Sequence, residues 1–547
     1  VFDRDVLDAA ITVMDQAAFD RPAGMKRLLQ RVEDKARRSG ATGPPTHDPS
    51  RGNISIQNTA RGEEYLWTWS NGRTLRFDTR GKLVQIKAPS GEFVSLARDP
   101  AGALMKVTDP QGRSLVLGYP DQDRARPRTR FNGVTHIDSP VGRFSYEYGS
   151  ASAKGYTGNP RDLLANLVLV RSPDAVSRRY HYEDPAHATL LTGISVELKD
   201  AQGKVSSRRI NTWAYDSQGL GVLSVKGWPK RLGKDGRPVP GTGIEQVNLD
   251  YGTPGQTTLT NSLGQKTVYR HAIVGNEHRL LEVKGAGCAS CGEANVRYSY
   301  DGLGRLIETT WITPEGRPIL TLRQTRDGYG RVIAKHEWVY VNGKPEAAIL
   351  IARYEYAGQS TRPSQIARPS VIAGREAVTR TSYNALGQPL AVTETGYSPS
   401  PGAVGEGRAA AITRTTTYAY AQINGRSVLT RIDGPLTNGP KGDSIDSDIT
   451  QYHWDERGNR LLAVVWPGNL RQSLRYDPLG RSIETAVNDG GRIDTRRIHY
   501  SAFTAALLQV EAVERIGTQV RDGQPMAEGR LALMTMRAHF DALGRRI

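Results

Sequence analysis

The chain has 547 residues, a formal net charge of +17, 58 glycines, and 23 tyrosines against 8 phenylalanines. Its longest plausible apolar run, 163–170, falls well short of the roughly 20 residues that a transmembrane helix requires. A glycine at about every tenth position is typical of a chain built from short strands and turns, and argues against a compact helical enzyme.

Residues 1–38 differ in pattern from the rest of the chain. Apolar residues recur there at helical spacing before and after Pro22, which predicts two short amphipathic helices. The simpler interpretation of these helices is a helical cap or the end of a preceding domain. The functional alternative is a plug or a membrane-active segment. Residues 39–52 are rich in Gly and Pro, which is typical of a linker.

Strands are expected from residue 53 onwards. The stretch Tyr65–Trp69 alternates aromatic residues and then reaches Asn71-Gly72, a strong hairpin signal. Two alternatives stay open for Trp67 and Trp69. Both could pack in the sheet, as strand aromatics usually do, or they could stack on sugars.

The stretch 295–311 contains the unit around which the chain is organised. Tyr298 and Tyr300 alternate with polar residues, the period-two pattern of a half-buried strand. Asp301 can accept hydrogen bonds from the backbone that follows it, and Gly304 tolerates a positive φ. Together they predict a type I turn closed by a left-handed glycine, and hence a β-hairpin.

The same turn recurs along the chain, always with the glycine three residues after Asp or Asn. The predicted turn residues are Asp78 and Gly81, Asp99 and Gly102, Asp109 and Gly112, Asp216 and Gly219, Asn261 and Gly264, Asp301 and Gly304, Asp327 and Gly330, Asn384 and Gly387, Asp455 and Gly458, Asp477 and Gly480, and Asp541 and Gly544. Many successive copies lie roughly 20–25 residues apart, which fits two strands and two turns and indicates a repeat architecture.

The hexapeptides Tyr300–Arg305 and Tyr476–Arg481 read Tyr-Asp-x-x-Gly-Arg and resemble the YD repeat of the Rhs-repeat proteins. That superfamily includes bacterial Rhs polymorphic toxins, the shell subunits of insecticidal Tc toxins, and the teneurins. The resemblance covers about 72–547. It implies an all-β fold of repetitive antiparallel hairpins, forming a spiralling β-sheet shell or part of one across 53–547, with a short helical N-terminal segment.

The resemblance also implies a function. In the bacterial toxins the shell encloses a toxic C-terminal domain, so we expect a secreted or cell-surface bacterial protein that contains and helps deliver such a domain. The partner would be the protein's own toxin or core domain, which is not present in this chain. Both Val1, which is not a methionine, and Ile547, just inside a new repeat, look like cuts through a longer protein. Secretion machinery and surface glycans are further expected partners, and specific nucleic acid is not expected.

An alternative function comes from the teneurin branch of the superfamily, namely a cell-surface adhesion or carbohydrate-binding repeat protein. The family's autoproteolytic core segment, built around Asp-Pro-x-Gly-Leu, is not recognisable here. The similar run Asp477–Gly480 continues into Arg481 and further repeats, so it is an ordinary turn.

Cys288 and Cys291 are the chain's two cysteines and lie among glycines. The pattern favours a tight-turn disulfide or a thiol pair that holds one loop. A mixed zinc site with His271 and His278 remains an alternative, and a thioredoxin-like redox pair is less favoured. A four-cysteine zinc site would need a second Cys-x-x-Cys. We expect no cofactor.

Motifs for catalysis are missing from the sequence. There is no Gly-x-Ser-x-Gly elbow, no Walker A loop and no His-Glu-x-x-His. The acidic pairs Glu63 with Glu64 and Asp446 with Asp448 lie in or near predicted loops, where solvated carboxylates are the default. We therefore expect a protein that is not an enzyme.

The positive charge follows the repeat. Arginine comes directly after the turn glycine at Arg113, Arg305, Arg331, Arg481 and Arg545. Charge spread along every repeat is unlike the clustered patch of a nucleic-acid-binding surface. We expect Arg305 to be partly exposed and of little energetic weight.

Overall fold

The structure is a computed structural model of the chain. It describes residues 53–546, apart from 61, 70, 121–132, 150–154, 175, 200–201, 230–242, 276, 288–291, 359, 400–408, 437–447, 490–491, 503–506, 522–523 and 540–545. The predicted helical segment 1–38, the linker 39–52, both cysteines, Asp446, and the turn at Asp541 and Gly544 lie outside the described residues.

The described secondary structure is β-strand apart from two short 3-10 turns, Pro160–Leu163 and Pro467–Asn469. This confirms the predicted all-β, antiparallel fold. Among the residues that the structure describes, no helix is long and apolar enough to span a membrane.

The first half of the described chain contains eighteen strands. They are β1 (Asn53–Thr59), β2 (Gly62–Thr68), β3 (Thr74–Phe77), β4 (Leu83–Lys87), β5 (Phe93–Arg98), β6 (Leu104–Thr108), β7 (Ser114–Gly118), β8 (His136–Ser139), β9 (Gly142–Tyr148), β10 (Leu167–Arg171), β11 (Val176–His181), β12 (Gly193–Lys199), β13 (Val205–Tyr215), β14 (Gly221–Lys226), β15 (Ile244–Asp250), β16 (Gln256–Thr260), β17 (Lys266–Val274) and β18 (Glu277–Gly285).

The second half of the described chain contains another eighteen. They are β19 (Val296–Tyr300), β20 (Leu306–Ile312), β21 (Pro318–Arg326), β22 (Val332–Val341), β23 (Lys344–Pro345), β24 (Ile349–Tyr356), β25 (Pro363–Pro369), β26 (Glu376–Tyr383), β27 (Pro389–Pro399), β28 (Ala409–Ile423), β29 (Arg426–Asp433), β30 (Ile449–Trp454), β31 (Leu461–Val465), β32 (Arg471–Tyr476), β33 (Ser482–Asn488), β34 (Arg492–Tyr500), β35 (Leu507–Arg521) and β36 (Gln524–Arg537).

These strands form one antiparallel meander in which each strand pairs with the next along the chain. The exception is β23, which pairs only with the end of β22, so that β22 pairs onward with β24. Consecutive turns lie alternately at the two ends of the strands, and the turns at each end form a rim along the sheet. We name these edge A, with the turns at Gly72, Gly91, Gly112 and Gly264, and edge B, with the turns at Gly304, Gly330, Gly425, Gly458 and Gly480.

The strands alternate between a more buried and a more exposed face. In β19, Val296 is fully buried while its neighbour Arg297 is exposed. Val296 lies opposite Trp311, and Arg297 lies opposite Thr310. Side chains that are two residues apart share a face, so Val296 and Arg297 lie on opposite faces of the sheet, although Thr310, across from Arg297, is also buried.

An apolar cluster lies on one face of β1–β6. Tyr65 opposes Phe77 across the β2–β3 pair, and Trp67 opposes Leu75. The buried members of the cluster are Tyr65, Leu75, Phe77, Leu83, Ile86, Val94 and Leu96. Cross-strand pairs of this kind are the usual source of stability in a sheet, at about 0.2–1 kcal/mol each.

Candidate functional site

The Asx–Gly turn is the recurring structure on which any function of this sheet depends. In the turn after β19, Gly304 N donates to Asp301 O at 2.9 Å, and Gly304 has a φ of +76°. Asp301 Oδ1 accepts the N–H groups of Leu303 and Arg305 at 3.0 and 2.9 Å. A positive φ also occurs at Gly81, Gly102, Gly112, Gly219, Gly264, Gly330, Gly387, Gly458 and Gly480.

A one-residue bulge follows the turn and sets the strand register. Ser299 pairs with Glu308, whereas the next residue, Tyr300, pairs with Leu306. A type I turn followed by a left-handed glycine produces this bulge, which increases the local twist. The same shift occurs at the ends of β24, β26, β32 and β34, so the twist recurs from repeat to repeat.

The arginine after the glycine closes the turn. Arg305 Nε donates to Asp301 Oδ2 at 2.7 Å, and the Arg305 side chain is 21% exposed. Arg305 is thus partly exposed, as expected from the sequence, and it makes an ion pair within its own turn that the sequence analysis did not anticipate. The same pairing occurs, at 2.6–2.7 Å, between Arg113 and Asp109, Arg331 and Asp327, and Arg481 and Asp477.

Two of these arginines, Arg331 and Arg481, also reach the next turn on the same edge. Arg331 Nη1 donates to the carbonyl oxygen of Gly358 at 2.7 Å, and its guanidinium lies 4.5 Å from the ring centre of Tyr356. Arg481 Nη1 donates in the same way to Ser501 O at 2.7 Å. Each such arginine therefore joins its own turn to the following one, where a charged donor makes a stronger hydrogen bond than a neutral donor would.

A tyrosine at or just after the end of a strand makes a second link between strands, both in turns with an aspartate and in others. Tyr476, at the end of β32, donates its hydroxyl to the carbonyl oxygen of Leu461, at the start of β31, at 2.8 Å. Burial raises the pKa of Tyr476, so the phenol keeps its proton and remains a donor. The same contact occurs between Tyr119 and Leu104, Tyr182 and Leu167, Tyr215 and Leu191, Tyr251 and Gly221, Tyr300 and Leu280, Tyr356 and Val332, Tyr383 and Pro363, and Tyr500 and Ser482.

Two turns use a neutral version of the acid–base pair. Asn261 Nδ2 donates to Gln265 Oε1 at 3.0 Å, and Asn384 Nδ2 donates to Gln388 Oε1 at 2.9 Å. Asn261 Oδ1 still accepts the backbone N–H of Gln265, as the aspartates do. Where arginine follows the turn glycine it thus pairs with an aspartate, and where glutamine follows it pairs with an asparagine, because each pair satisfies its own donors and acceptors.

Three of the turn aspartates, Asp301, Asp327 and Asp477, have lowered pKa values, which favour the ionised form. Burial disfavours the charge on Asp301, but the hydrogen bonds from the backbone N–H and the guanidinium of Arg305 outweigh it and hold the pKa of Asp301 below its ordinary value. The pKa values of Asp327 and Asp477 are lowered in the same way by Arg331 and Arg481.

Edge A of the first strands lies against edge B of later strands. We name this contact the seam. Its hydrogen bonds join residues 291–366 positions apart and include Arg362 Nη2 to Asn71 O (3.2 Å), Ser427 N to Ser90 O (2.7 Å), Asn459 Nδ2 to Pro110 O (3.0 Å), and Arg113 Nη1 to Leu479 O. The sheet therefore winds round until a later winding lies edge to edge on the first.

The two windings touch through backbone at the centre of the seam. A Cβ added at Gly91, whose φ is +99°, would overlap the carbonyl oxygen of Gly425. The neighbouring residues Glu92 and Arg426 form an ion pair across the same contact. Glycine at position 91 thus serves both the left-handed turn and the close approach.

Trp67 and Trp69 stack on each other with ring centres 4.7 Å apart. Both are partly buried and pack against the apolar cluster of β1–β6. The guanidinium of Arg73 lies 5.6 Å from the Trp69 ring. This arrangement matches the packing alternative for the two tryptophans.

The histidines of the possible zinc site lie on adjacent strands. His271 on β17 and His278 on β18 have ring centres 6.1 Å apart. Cys288 and Cys291 lie outside the described residues, so the choice between a disulfide, a thiol pair and a mixed site stays a prediction. Within the described residues, no three His, Cys, Asp or Glu side chains group as metal ligands.

A serine and a histidine meet on β11 and β12 in an arrangement that the sequence analysis missed. His181 Nε2 lies 2.8 Å from Ser195 Oγ, and His181 Nδ1 lies 3.7 Å from Glu183 Oε1, beyond hydrogen-bond distance. Glu183 instead accepts two hydrogen bonds from the buried Arg209, at 3.1 and 2.8 Å. Ser195 is 4% exposed. We interpret the group as a polar network that links three strands around Arg209.

Glu64 and Asp448, one residue from each acidic pair, accept hydrogen bonds within the protein. Glu64 accepts a hydrogen bond from Arg76 at 3.0 Å across the β2–β3 pair, and Asp448 accepts the backbone N–H of Leu436 at 2.7 Å. Glu63, the other member of the first pair, lies on β2.

Taken together, the turns, the links between repeats and the seam define a wound antiparallel β-repeat protein. No sequence-family profile matches the chain. The double-stranded DNA deaminase toxin A of Burkholderia cenocepacia is 24% identical over 240 residues, covering 41% of this chain and 15% of that protein.

Two solved structures are similar over most of the chain. The Photorhabdus luminescens Tc holotoxin pore has a TM-score of 0.36 and 11% identity, covering 90% of this chain and 29% of that one. The TcdB2-TccC3 crystal structure has a TM-score of 0.30 and 13% identity, covering 90% and 31%. The chain thus spans less than a third of the length of each of these three proteins.

Proposed function

We propose that this region is part of the wall of a bacterial protein shell that encloses a toxic C-terminal domain and helps deliver it. The toxic domain is not among the residues of this chain. The protein would be secreted or displayed at the cell surface, and its principal partner would be its own enclosed domain.

The seam is the observation that carries this proposal. A sheet that does not wind back onto itself leaves edges A and B uncovered and cannot retain a cargo. When a later winding lies on the first, through Arg362, Ser427, Asn459 and Arg113, the sheet becomes a continuous wall. The repeated arginine and tyrosine links then hold neighbouring hairpins together along that wall, as expected for a repeat array stabilised by nearest neighbours.

Two further facts agree with containment. The sequence repeats the Tyr-Asp-x-x-Gly-Arg unit, and the partial relative from Burkholderia cenocepacia is itself described as a toxin. An adhesion or carbohydrate-binding protein is supported less, because the sugar-stacking candidates Trp67 and Trp69 pack against the apolar cluster.

The test uses the full-length protein that carries this region and measures how fast a protease digests the domain enclosed by it. Glu92→Arg places two positive charges together at the seam with Arg426, so the wall should open and the domain should be digested faster. The charge-swapped variant Glu92→Arg/Arg426→Glu should restore protection. Equal digestion of the domain in all three proteins would contradict a containing wall.

A further inference from the structure

The turn 216–220, between β13 and β14, lacks the arginine that closes several of its counterparts. Asp216 Oδ1 accepts the backbone N–H groups of Gln218 and Leu220 at 2.9 Å each, as in the other turns. Among the described residues, none donates a hydrogen bond to Asp216 Oδ2. Leu220 stands at the position that is arginine in four other turns, at Arg113, Arg305, Arg331 and Arg481.

The turn 327–331 shows what surrounds the guanidinium when the arginine is present. Arg331 Nε donates to Asp327 Oδ2 at 2.7 Å, and the guanidinium lies 4.5 Å from the ring centre of Tyr356, in the next turn on the same edge. The Tyr356 hydroxyl donates to the carbonyl oxygen of Val332, the residue after the arginine, at 2.7 Å. A carboxylate and the face of a tyrosine thus enclose one guanidinium from two sides.

The turn 477–481 repeats this arrangement. Arg481 Nε donates to Asp477 Oδ2 at 2.6 Å, and the guanidinium lies 4.8 Å from the Tyr500 ring centre. The Tyr500 hydroxyl donates to the carbonyl oxygen of Ser482, again the residue after the arginine, at 3.0 Å. The arrangement is therefore a recurring guanidinium site within this protein.

The same surroundings occur at the turn 216–220. The Tyr251 hydroxyl donates to the carbonyl oxygen of Gly221, the residue after Leu220, at 2.8 Å. Burial and the nearby charge of Asp216 raise the pKa of Tyr251, so the tyrosine lies close to the turn carboxylate. Within the described part of the chain, no guanidinium lies over the Tyr251 ring. The turn thus keeps the carboxylate and the ring of a guanidinium site but supplies leucine in place of the arginine.

A cavity of about 510 Å³ lies beside this turn. It is lined by Asp216, Asp250 and Tyr251, and by the apolar side chains of Leu220 and Leu249. Leu220 is 45% exposed, so it leaves the space open. Two carboxylates favour a cation, the tyrosine ring favours a planar one, and the leucines suit the methylene groups that carry it.

We propose that this cavity binds an alkylguanidinium group, such as an arginine side chain, supplied from outside the turn. The guanidinium would donate to Asp216 Oδ2 and lie against Tyr251, and its methylene groups would pack on Leu220. An ammonium group would bind less well, because it is compact, strongly hydrated and without a planar face. The proposal does not rest on containment, because the site is formed by two neighbouring turns of the sheet alone.

Hydrogen exchange on the 547-residue chain tests the proposal, with N-acetyl-arginine methylamide as the probe. The probe should slow exchange at 213–223 and 247–256, by about tenfold once its concentration reaches about ten times its Kd. N-acetyl-citrulline methylamide has the same shape without the charge and should have no effect, and the lysine analogue should have a smaller one. Propylguanidine distinguishes the two sources of the group. Equal protection by propylguanidine indicates a free alkylguanidine, and weaker protection indicates an arginine within a polypeptide.

Three variants decide whether the probe occupies the proposed site. Leu220→Arg supplies the missing guanidinium, so it should slow exchange at 213–223 without the probe and abolish the effect of the probe. Leu220→Gln adds no charge and should keep that effect. Asp216→Asn should lose it, and Asn261, which accepts the same backbone N–H in its own turn, shows that asparagine supports the turn. A wild-type chain unaffected by the probe, or a Leu220→Arg chain protected by it as much as the wild type, would overturn the proposal.

Discussion

Glu92 and Arg426 lie 334 residues apart in sequence and form an ion pair between the first winding and a later one. The Arg426 side chain also donates to Asn459 Oδ1 at 2.6 Å, so one arginine joins two turns of edge B to one turn of edge A. Both charged groups are partly buried, where they are screened less by solvent than exposed pairs are. The seam therefore depends on particular side chains as well as on the general shape of the hairpins.

Gly91→Ala should loosen the seam while leaving its own hairpin formed. The added Cβ would overlap the carbonyl oxygen of Gly425, so the windings must move apart. Hydrogen exchange should become faster at Ser427, whose N–H donates to Ser90 O. The matched control is Gly102→Ala, because Gly102 has a similar φ of +91° and its nearest contact is the flexible end of a lysine at 3.6 Å.

Both substitutions place alanine at a positive φ and should cost about 1–2 kcal/mol locally for that reason. Only Gly91→Ala should also make hydrogen exchange faster at 424–427, on the other side of the seam. Equal effects of the two variants on exchange at Ser427 would show that the seam does not depend on close backbone contact at Gly91.

Arg305→Ala should destabilise its hairpin by about 1–3 kcal/mol, because it leaves the partly buried carboxylate of Asp301 without its charged donor. Arg317→Ala is the matched control, since Arg317 is 75% exposed and lies 3.8 Å from Glu315. We expect it to cost less than about 0.5 kcal/mol. Hydrogen exchange across 296–326 measures both, and a control as damaging as Arg305→Ala would rule out a special role for the turn arginine.

The repeat could be predicted from the sequence because its signals are local. The offset of three between Asp301 and Gly304 is enough to specify a turn, and alternation at Tyr298 and Tyr300 is enough to specify a strand. The all-β antiparallel fold followed from repeating these signals.

The links between repeats were harder to predict. Arginine after the turn glycine was visible in the sequence and its partial exposure was expected, but its bonds were not, because its second acceptor, such as Gly358 O for Arg331, is a backbone atom that carries no sequence signal. The seam had no signal at all, since Asn459 and Arg113 also donate to main-chain carbonyls of residues hundreds of positions away.

The pairing of Asp with Arg, and of Asn with Gln, predicts a coupled substitution. Asp301→Asn alone leaves Arg305 without its carboxylate, and Arg305→Gln alone leaves Asp301 without its guanidinium. The double variant recreates the neutral pair found between Asn261 and Gln265. Its cost should therefore be smaller than the sum of the single costs by about 0.5–3 kcal/mol. A double-mutant cycle on the local stability of 296–312 measures this coupling, and strictly additive costs would contradict the pairing.

Acid should weaken the repeat turns together. The folded-state pKa values of Asp301, Asp327 and Asp477 lie below their ordinary value, so the folded state binds fewer protons than the unfolded state. Their stabilisation is complete above the unfolded pKa of about 3.9 and is lost as the pH falls through the lower folded pKa values. Urea unfolding followed by circular dichroism at pH 7, 4 and 3 measures the overall loss, and hydrogen exchange at 296–312 measures the loss at the hairpin of Asp301. The Asp301→Asn/Arg305→Gln variant should lose less at its own hairpin, and an equal loss there would show that these aspartates are not responsible.

Tyr476→Phe should destabilise the β31–β32 contact by about 0.5–1.5 kcal/mol, because it removes the hydroxyl that donates to Leu461 O at 2.8 Å. Tyr269→Phe provides the contrast. The buried Tyr269 hydroxyl has no hydrogen-bond partner within the described part of the chain, so its removal should be neutral or stabilising. Both substitutions delete one oxygen from a strand tyrosine, and only their hydrogen bonding differs. Hydrogen exchange at 461–476 and at 266–285 reports the two sites separately. A Tyr476→Phe protein as stable as the wild type would mean that the tyrosine is retained for its ring alone, and that the arginine carries the link between repeats without it.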